Sequence, residues 1–294
     1  DSKIYKYFFI FIIGFLVFSY IRKRYYNYCD AKNNRFVLDR SEFLPYVDYV
    51  PDNDVNTGIP EKTYYLFWTG GFDSTFRLCQ LLLDQNKRVQ PIYLKCSDLD
   101  SSINIIGSRG QINNVDTELA TMKRIRQELI SKNHTIKHKL LPTHYVTGVK
   151  RDSNFTKKYQ SLYHELHYFT RSISQYEQLA RYAYYHIQPI EIGLEKCGTG
   201  LDQATHKYRI GVGEECQIMK NPDLPTSHKN LHIFGKLRFP ISHLDKKEMK
   251  NIALQNNYYD ILQLTWSCWQ PVYDGKSNIG VPCGKCPQCL ARII

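Results

Sequence analysis

The stretch YYLFWTGGFDSTFRLCQLLLDQNKRVQPIYLKC, residues 64–96, decides the fold class. Residues 63–69 are apolar and rich in strand-forming side chains, and residues 88–96 repeat that pattern, so we predict two buried strands. Between them lie a pair of glycines and an amphipathic helix pattern built on Phe76, Leu78, Cys79, Leu81 and Leu82. A strand, a glycine loop, a helix and a second strand in this order begin a parallel α/β fold.

The loop between strand and helix has the composition of an anion site. Gly70 and Gly71 let the backbone approach a ligand closely, and their N–H groups join those of the helix N-terminus in a cradle for phosphate. Thr69 and Ser74 add hydroxyl donors, and Asp73 is placed to help hold Mg²⁺. The alternative is a plain turn with Asp73 as the N-cap of the helix. The candidate nucleotide-binding residues are Thr69, Gly70, Gly71, Phe72, Asp73, Ser74 and Thr75.

Four of the nine cysteines form a C-x14-C-x2-C-x2-C pattern at the C-terminal end. Thiolates two residues apart bind one tetrahedral metal ion from a tight turn, and four thiolates close the shell of a structural Zn²⁺ site. The predicted ligands are Cys268, Cys283, Cys286 and Cys289. An iron–sulfur cluster, disulfides and unrelated buried thiols remain the alternatives, although an odd total excludes complete pairing within one chain.

These motifs resemble those of a known enzyme family. The hexapeptide Thr69–Ser74 is similar to the Ser-Gly-Gly-x-Asp-Ser loop of the ATP-pyrophosphatase superfamily, with Thr69 at the first position. TWSCW (265–269) followed by CGKCPQC (283–289) resembles the end of the 7-cyano-7-deazaguanine synthases, in which four cysteines bind zinc. PISHLDKKEM (240–249) is similar to that family's Pro-x5-Lys-x-Glu-Ile element, which assigns Lys246 a place near the ATP phosphates. Without the resemblance, Lys246 reads as a solvated lysine at a helix start.

The resemblance implies both a fold and a reaction for residues 63–294. The fold is a doubly wound, mainly parallel sheet, Rossmann-like and of the adenine nucleotide alpha-hydrolase type, with a zinc element at 265–294. The reaction is an ATP-dependent ligation in which a 7-carboxy-7-deazaguanine carboxylate is adenylated, converted to the amide by ammonia, and adenylated again to give the nitrile of a queuosine precursor. Lys246 and Asp73 are the expected catalytic residues, and ATP, Mg²⁺ and Zn²⁺ the expected cofactors.

The middle of the chain departs from the family. After the second strand the family carries an Asp-Tyr-Gly-Gln-like segment, whereas residues 95–100 read KCSDLD. The family's base-recognition segments have no clean counterpart at Thr170–Ser172 or Glu214–Cys216. For this region the patterns predict helices at 116–132 and 172–187, strands at 134–142, 189–194 and 231–239, and a further helix after His243.

The N-terminal segment predicts a membrane anchor. Residues 7–21 read YFFIFIIGFLVFSYI, without a charge, and Lys and Arg flank them on both sides. No small-residue cleavage site follows, and no polar face interrupts the segment, which disfavours a signal peptide and an interfacial helix. We expect an anchor at 1–28, a linker at 29–62, and the main domain on the cytosolic side of a membrane or virion membrane.

The net charge of +11 is unevenly distributed. Residues 121–160 alone hold ten Lys or Arg and two Asp or Glu. A basic stretch is usually a solvated face, so nucleic-acid binding is not favoured, but it motivates one rival function, a tRNA-modifying AMP-forming enzyme. A second rival is a non-enzymatic membrane or virion protein that retains the fold. The oligomeric state stays open, a homodimer included.

Overall fold

The computed structural model describes residues 43–45, 62–95, 115–146, 149, 152–166, 173–186, 188–197, 200–220, 226–273 and 279–291. The predicted anchor and most of the predicted linker lie outside these residues. Among the described residues, no helix combines the length and apolar character needed to cross a bilayer.

A six-stranded parallel sheet forms the centre of the domain. Its strands are β1 Phe43–Pro45, β2 Thr63–Phe67, β3 Arg88–Leu94, β4 Thr143–Val146, β5 Ile190–Glu191 and β8 Leu237–Arg238; β6 Arg209–Ile210 and β7 Gln217–Ile218 form a separate antiparallel pair. The strand order is β1-β4-β3-β2-β5-β8, and every neighbouring pair is parallel. Because the order reverses between β2 and β5, the sheet is doubly wound, which confirms the predicted Rossmann-like α/β class with a mainly parallel sheet.

Helices cover both faces of this sheet. Consecutive residues of β2 point to opposite faces, so that Tyr65 and Phe67 join one apolar cluster while Leu66 joins the other. The α-helices are α1 Phe72–Cys79, extended by a wider turn at Gln80–Asp84, α2 Val115–Lys132, α3 Ile136–Lys139, α4 Ser153–Leu166, α5 Ile173–Tyr185, α6 Gly200–Thr205, α7 Lys246–Gln255, α8 Tyr259–Gln263 and α9 Pro287–Ala291. Helices α4 and α5 contribute to the cluster that contains Tyr65 and Phe67, and α1, α2, α7 and α8 to the cluster that contains Leu66.

Three element predictions differ from the structure. The strand predicted at 134–142 is wrong: the backbone forms helix α3, and the strand starts only at Thr143. The Asn133 side chain accepts the backbone N–H and the hydroxyl of Thr135, which closes a turn before α3. The segment 231–239 is strand only at 237–238 and is mostly helical before it. Within the predicted linker, residues 43–45 form an edge strand beside β4.

A buried ion pair joins α1 to the sheet. Arg77 donates from Nε and Nη2 to the Glu191 carboxylate at 2.7 and 2.9 Å, with side chains only 3% and 6% exposed. Arg77→Met should therefore leave a buried carboxylate unpaired and lower the free energy of unfolding by about 3–5 kcal/mol. Lys132→Met is the control, because its pair with Asp260 is 29% and 54% exposed and contributes about 0–1 kcal/mol. Equal losses of unfolding free energy in Arg77→Met and Lys132→Met, measured by urea unfolding, would contradict this account.

Candidate functional site

The glycine loop lies where the strand order reverses, at the C-terminal end of β2 and the start of α1. Gly70 has a φ of +74°, which only glycine adopts without strain. A Cβ there would also come within 3.2 Å of the Thr121 and Met122 side chains. Glycine at position 70 is thus required both by the backbone angle and by the close passage of α2.

The first turn of α1 receives no side-chain cap. Gly71 is the N-cap, and no side chain accepts a capping hydrogen bond there. The alternative in which Asp73 caps the helix is therefore wrong, and the Ser74 hydroxyl turns back to the Gly71 carbonyl at 3.3 Å. Backbone N–H groups at such a terminus bind phosphate well, because the helix dipole adds to their hydrogen bonds.

The segment that follows β5 passes directly against this turn. A Cβ on Gly193 would lie 2.6 Å from the Ser74 backbone nitrogen and 2.9 Å from the Asp73 carbonyl carbon. Distances this short cannot be relieved by side-chain rotation, since the atoms met are backbone. The absence of a side chain at Gly193 thus sets how closely the two loops approach, a feature that the sequence reading did not single out.

Gly193→Ala is expected to displace the N-terminal turn of α1 and to abolish measurable nucleotide binding, with only a moderate loss of thermal stability. Calorimetric titration with Mg-ATP tests this. The matched control is Ala204→Gly, which also exchanges glycine and alanine but lies in α6. Wild-type affinity in Gly193→Ala would show that the close approach is not required.

Lys246 and Glu195 form an ion pair beside the loop. Lys246 is the first residue of α7, whose N-terminus has a capping box of Asp245 and Glu248. Its Nζ donates to Glu195 Oε1 at 2.9 Å, and both side chains are partly buried, 39% and 19% exposed. Lys246 thus lies at a helix start, as the alternative interpretation has it, but its ammonium is paired with a carboxylate and is only partly exposed.

Asp73 is electrostatically coupled to that pair. Burial raises the pKa of its carboxyl to about 7, although the charge of Lys246 lowers it, and Glu195 raises it further. Burial alone would lower the pKa of Lys246, but the negative charges of Asp73 and Glu195 outweigh this effect, so the pKa of Lys246 is raised. Asp73 Oδ1 is buried and has no hydrogen-bond partner among the described residues. A hard carboxylate oxygen left without a donor beside a helix N-terminus has the chemistry of a Mg²⁺ ligand.

The structure adds Glu118, which the sequence reading missed. It lies in the first turn of α2, accepts the Tyr93 hydroxyl at 2.6 Å, and its backbone oxygen lies beside Gly70. Tyr93 in turn stacks on Tyr145 at a ring distance of 5.6 Å. Burial raises the pKa of Glu118 to about 7. An acidic residue at a helix start after a strand was the available signal.

Because the folded pKa of Glu118 lies above its usual value, stability from this group is full at low pH and is lost as pH rises through about 7. Glu118→Gln should therefore raise the free energy of unfolding above that of wild type by more at pH 8 than at pH 5. The difference between the two pH values should be up to about 3 kcal/mol. Urea unfolding at both pH values measures the change, with Glu128→Gln on the same helix as the control. An unchanged pH dependence in Glu118→Gln would contradict the assignment.

The four predicted cysteines come together. Their Sγ atoms all lie within 4.8 Å of one another, which confirms that this part of the chain builds a group able to hold a metal ion. Backbone N–H groups of Cys283, Cys286 and Cys289 donate to the sulfurs of Cys268, Cys283 and Cys286 at 3.3–3.4 Å. Such bonds stabilise thiolates, and four thiolates in this spacing suit Zn²⁺.

The cysteine element is hydrogen-bonded to the glycine loop and to α2. The Trp266 backbone N–H donates to the Gly70 carbonyl at 2.9 Å, and the Gly280 N–H donates to Thr117 Oγ1 at 2.9 Å. Trp266 belongs to one buried cluster with Cys268, Cys286 and Cys289. Ordering of the element therefore reaches the loop through the Trp266–Gly70 hydrogen bond, and it reaches α2 through the Gly280–Thr117 hydrogen bond.

Residues 225–293 match the family model described as Queuosine biosynthesis protein QueC. This QueC-matched segment contains Lys246 and all four cysteines and covers about a quarter of the chain. The match supports an enzyme of queuosine-type biosynthesis, and it agrees with the resemblance inferred from the motifs of that segment. A search of curated proteins found no match to this chain.

The basic stretch 121–160 precedes the QueC-matched segment. Several of its charged side chains form hydrogen bonds or ion pairs with other residues of the protein. Arg126 donates to the Leu140 carbonyl at 2.8 Å, and Lys139 donates to the Asn86 carbonyl at 2.7 Å. Lys132 pairs with Asp260 at 2.8 Å. These contacts give several of the positive charges in this stretch a partner within the protein, without a nucleic acid.

Proposed function

We propose that the protein is an ATP-dependent ligase that adenylates a carboxylate and then an amide oxygen, converting 7-carboxy-7-deazaguanine and ammonia to 7-cyano-7-deazaguanine. The observation that carries the proposal is the meeting of three features at one sheet edge. A helix N-terminus without a side-chain cap follows the glycine loop. Lys246 pairs with Glu195 beside this loop, and the cysteine element is hydrogen-bonded to the loop through Trp266 and Gly70.

Each of these features suits one part of an adenylation. The N–H groups of the loop suit phosphate oxygens, and the Asp73 carboxylate would hold a Mg²⁺ ion, which would offset negative charge on the phosphates. The Lys246 ammonium offsets the charge that develops on the leaving pyrophosphate, which is where electrostatic catalysis is most effective. Four cysteine thiolates fill the coordination shell of Zn²⁺, so the zinc has a structural role and takes no part in the reaction.

The proposed reaction has two activations, and each forms an adenylate with loss of pyrophosphate. A carboxylate oxygen attacks the α-phosphate, the bond to the β-phosphate breaks, and pyrophosphate leaves. Ammonia then attacks the acyl adenylate, and AMP leaves with the former carboxylate oxygen. A second ATP adenylates the amide oxygen, and loss of AMP and protons gives the nitrile. Holding carboxylate, ATP and ammonia in line supplies most of the rate.

The apolar segment at residues 4–21 adds a proposal about location. We propose that it tethers the domain to a membrane, with the domain on the cytosolic side. Retention of the 294-residue chain in alkali-washed membranes, and release of a chain that begins at Cys29 and so keeps β1, are the expected results. Release of both proteins would contradict the tether.

Product analysis tests the proposed activity. Folded, zinc-loaded protein is incubated with Mg-ATP, ammonia and 7-carboxy-7-deazaguanine, and AMP and pyrophosphate are expected in equal amounts. The matched control is 7-deazaguanine, which lacks the carboxylate and should give no AMP. AMP formed only with tRNA would favour the tRNA-modifying rival, and no nucleotide binding at all would favour the non-enzymatic one.

A further inference from the structure

The segment that follows β5 brings a carboxylate to the lysine of the nucleotide site, and neither the motifs nor the family match assigns that carboxylate a role. Glu195 lies two residues beyond Gly193, the residue that contacts the N-terminal turn of α1. The next residue, Lys196, donates its backbone N–H to the Leu244 carbonyl at 2.9 Å. Leu244 lies just before α7, so backbone contacts fix Glu195 between the loop and Lys246.

Lys246 is held in this position by more than one constraint. The capping box fixes the backbone at the start of α7, and the Glu195 carboxylate fixes the ammonium at 2.9 Å. A lysine side chain has four rotatable bonds and loses about 2 kcal/mol of conformational entropy when ordered. Glu195 therefore orders the ammonium before nucleotide enters, at the expense of placing a negative charge near the phosphates.

We propose that Glu195 is a positioning residue for Lys246: it holds the ammonium in place for the transition state and does not itself bind ATP. This inference rests on the proposed function. It predicts opposite effects on binding and on catalysis when the Glu195 charge is removed, because the charge repels phosphate but orders the lysine. A purely structural role would impair both together.

The first test measures binding of Mg-α,β-methylene-ATP by calorimetry, which needs no acceptor substrate. Glu195→Gln should bind the analogue at least as tightly as wild type, and Lys246→Met should bind it at least 10-fold more weakly. In Lys246→Met the Glu195 carboxylate has lost its ammonium partner, so adding Glu195→Gln should restore several-fold of the lost affinity. Further loss in the double variant would overturn the proposal.

The second test measures turnover. Glu195→Gln should lower the kcat of AMP formation about 10-fold, Glu195→Asp should recover most of it, and adding Glu195→Gln to Lys246→Met should cost almost nothing more. Glu215→Gln, an exposed carboxylate elsewhere, is the control and should match wild type. Additive losses would overturn the positioning role. Failure of wild type to bind the analogue would instead refute the proposed function, so the two failures are distinguishable.

Discussion

Lys246→Met is expected to lower the kcat of AMP formation about 100- to 1000-fold, the usual loss when one preorganised charge is removed from a developing anion. Methionine keeps an unbranched side chain of comparable length, so the effect reports the charge. Lys246 is only partly buried, and its Glu195 partner keeps access to water, so the fold should persist. Steady-state AMP formation with saturating ATP measures the effect.

The neighbouring residue provides the control for this prediction. Lys247 follows Lys246 on α7 and is exposed. Lys247→Met should leave AMP formation within about twofold of wild type, since an exposed charge is screened by salt. Comparable losses in both variants would mean that the general positive charge of this helix end matters, and the specific role of Lys246 would be refuted.

Loss of zinc is the second change with a large expected effect. Structural zinc sites contribute on the order of 10 kcal/mol to the folding of the element that they hold. Cys286→Ser should therefore abolish the expected one zinc per chain, unfold the element, and remove the Trp266–Gly70 hydrogen bond that supports the loop. We expect both zinc content and analogue binding to be lost, measured by metal analysis and calorimetry.

A cysteine outside the cluster controls for the loss of a thiol. Cys197 is exposed and is not part of the metal-binding group. Cys197→Ser should keep full zinc content and nucleotide binding. Retention of zinc by Cys286→Ser, or full nucleotide binding in protein stripped of zinc by a chelator, would contradict the coupling between the cysteine element and the loop.

The motifs of short sequence span were predictable because local spacing determines their geometry. Gly70 and Gly71 between a strand and a helix indicate a tight loop, and cysteines two residues apart indicate a turn able to hold a metal ion. The fold class followed from the same strand–loop–helix–strand unit. The structure confirms the parallel doubly wound sheet and the clustering of the four sulfurs.

The parts that escaped prediction depend on contacts between distant segments. Glu195 meets Lys246 across 51 positions, and Glu118 meets Tyr93 across 25, and no periodic pattern records such pairs. The strand predicted at 134–142 was wrong for a related reason. Arg126 and the Asn133 turn stabilise the helical alternative, and neither is visible in the alternation of apolar residues.

The central claim is that the loop Thr69–Ser74 serves transfer of AMP to a carboxylate oxygen. The most direct measurement uses 7-carboxy-7-deazaguanine labelled with ¹⁸O in its carboxylate, with mass analysis of the nucleotide product. The account predicts AMP that carries one ¹⁸O atom, because the carboxylate oxygen that attacks the α-phosphate leaves with AMP when ammonia displaces it. Unlabelled AMP, or ADP with inorganic phosphate, would contradict the account.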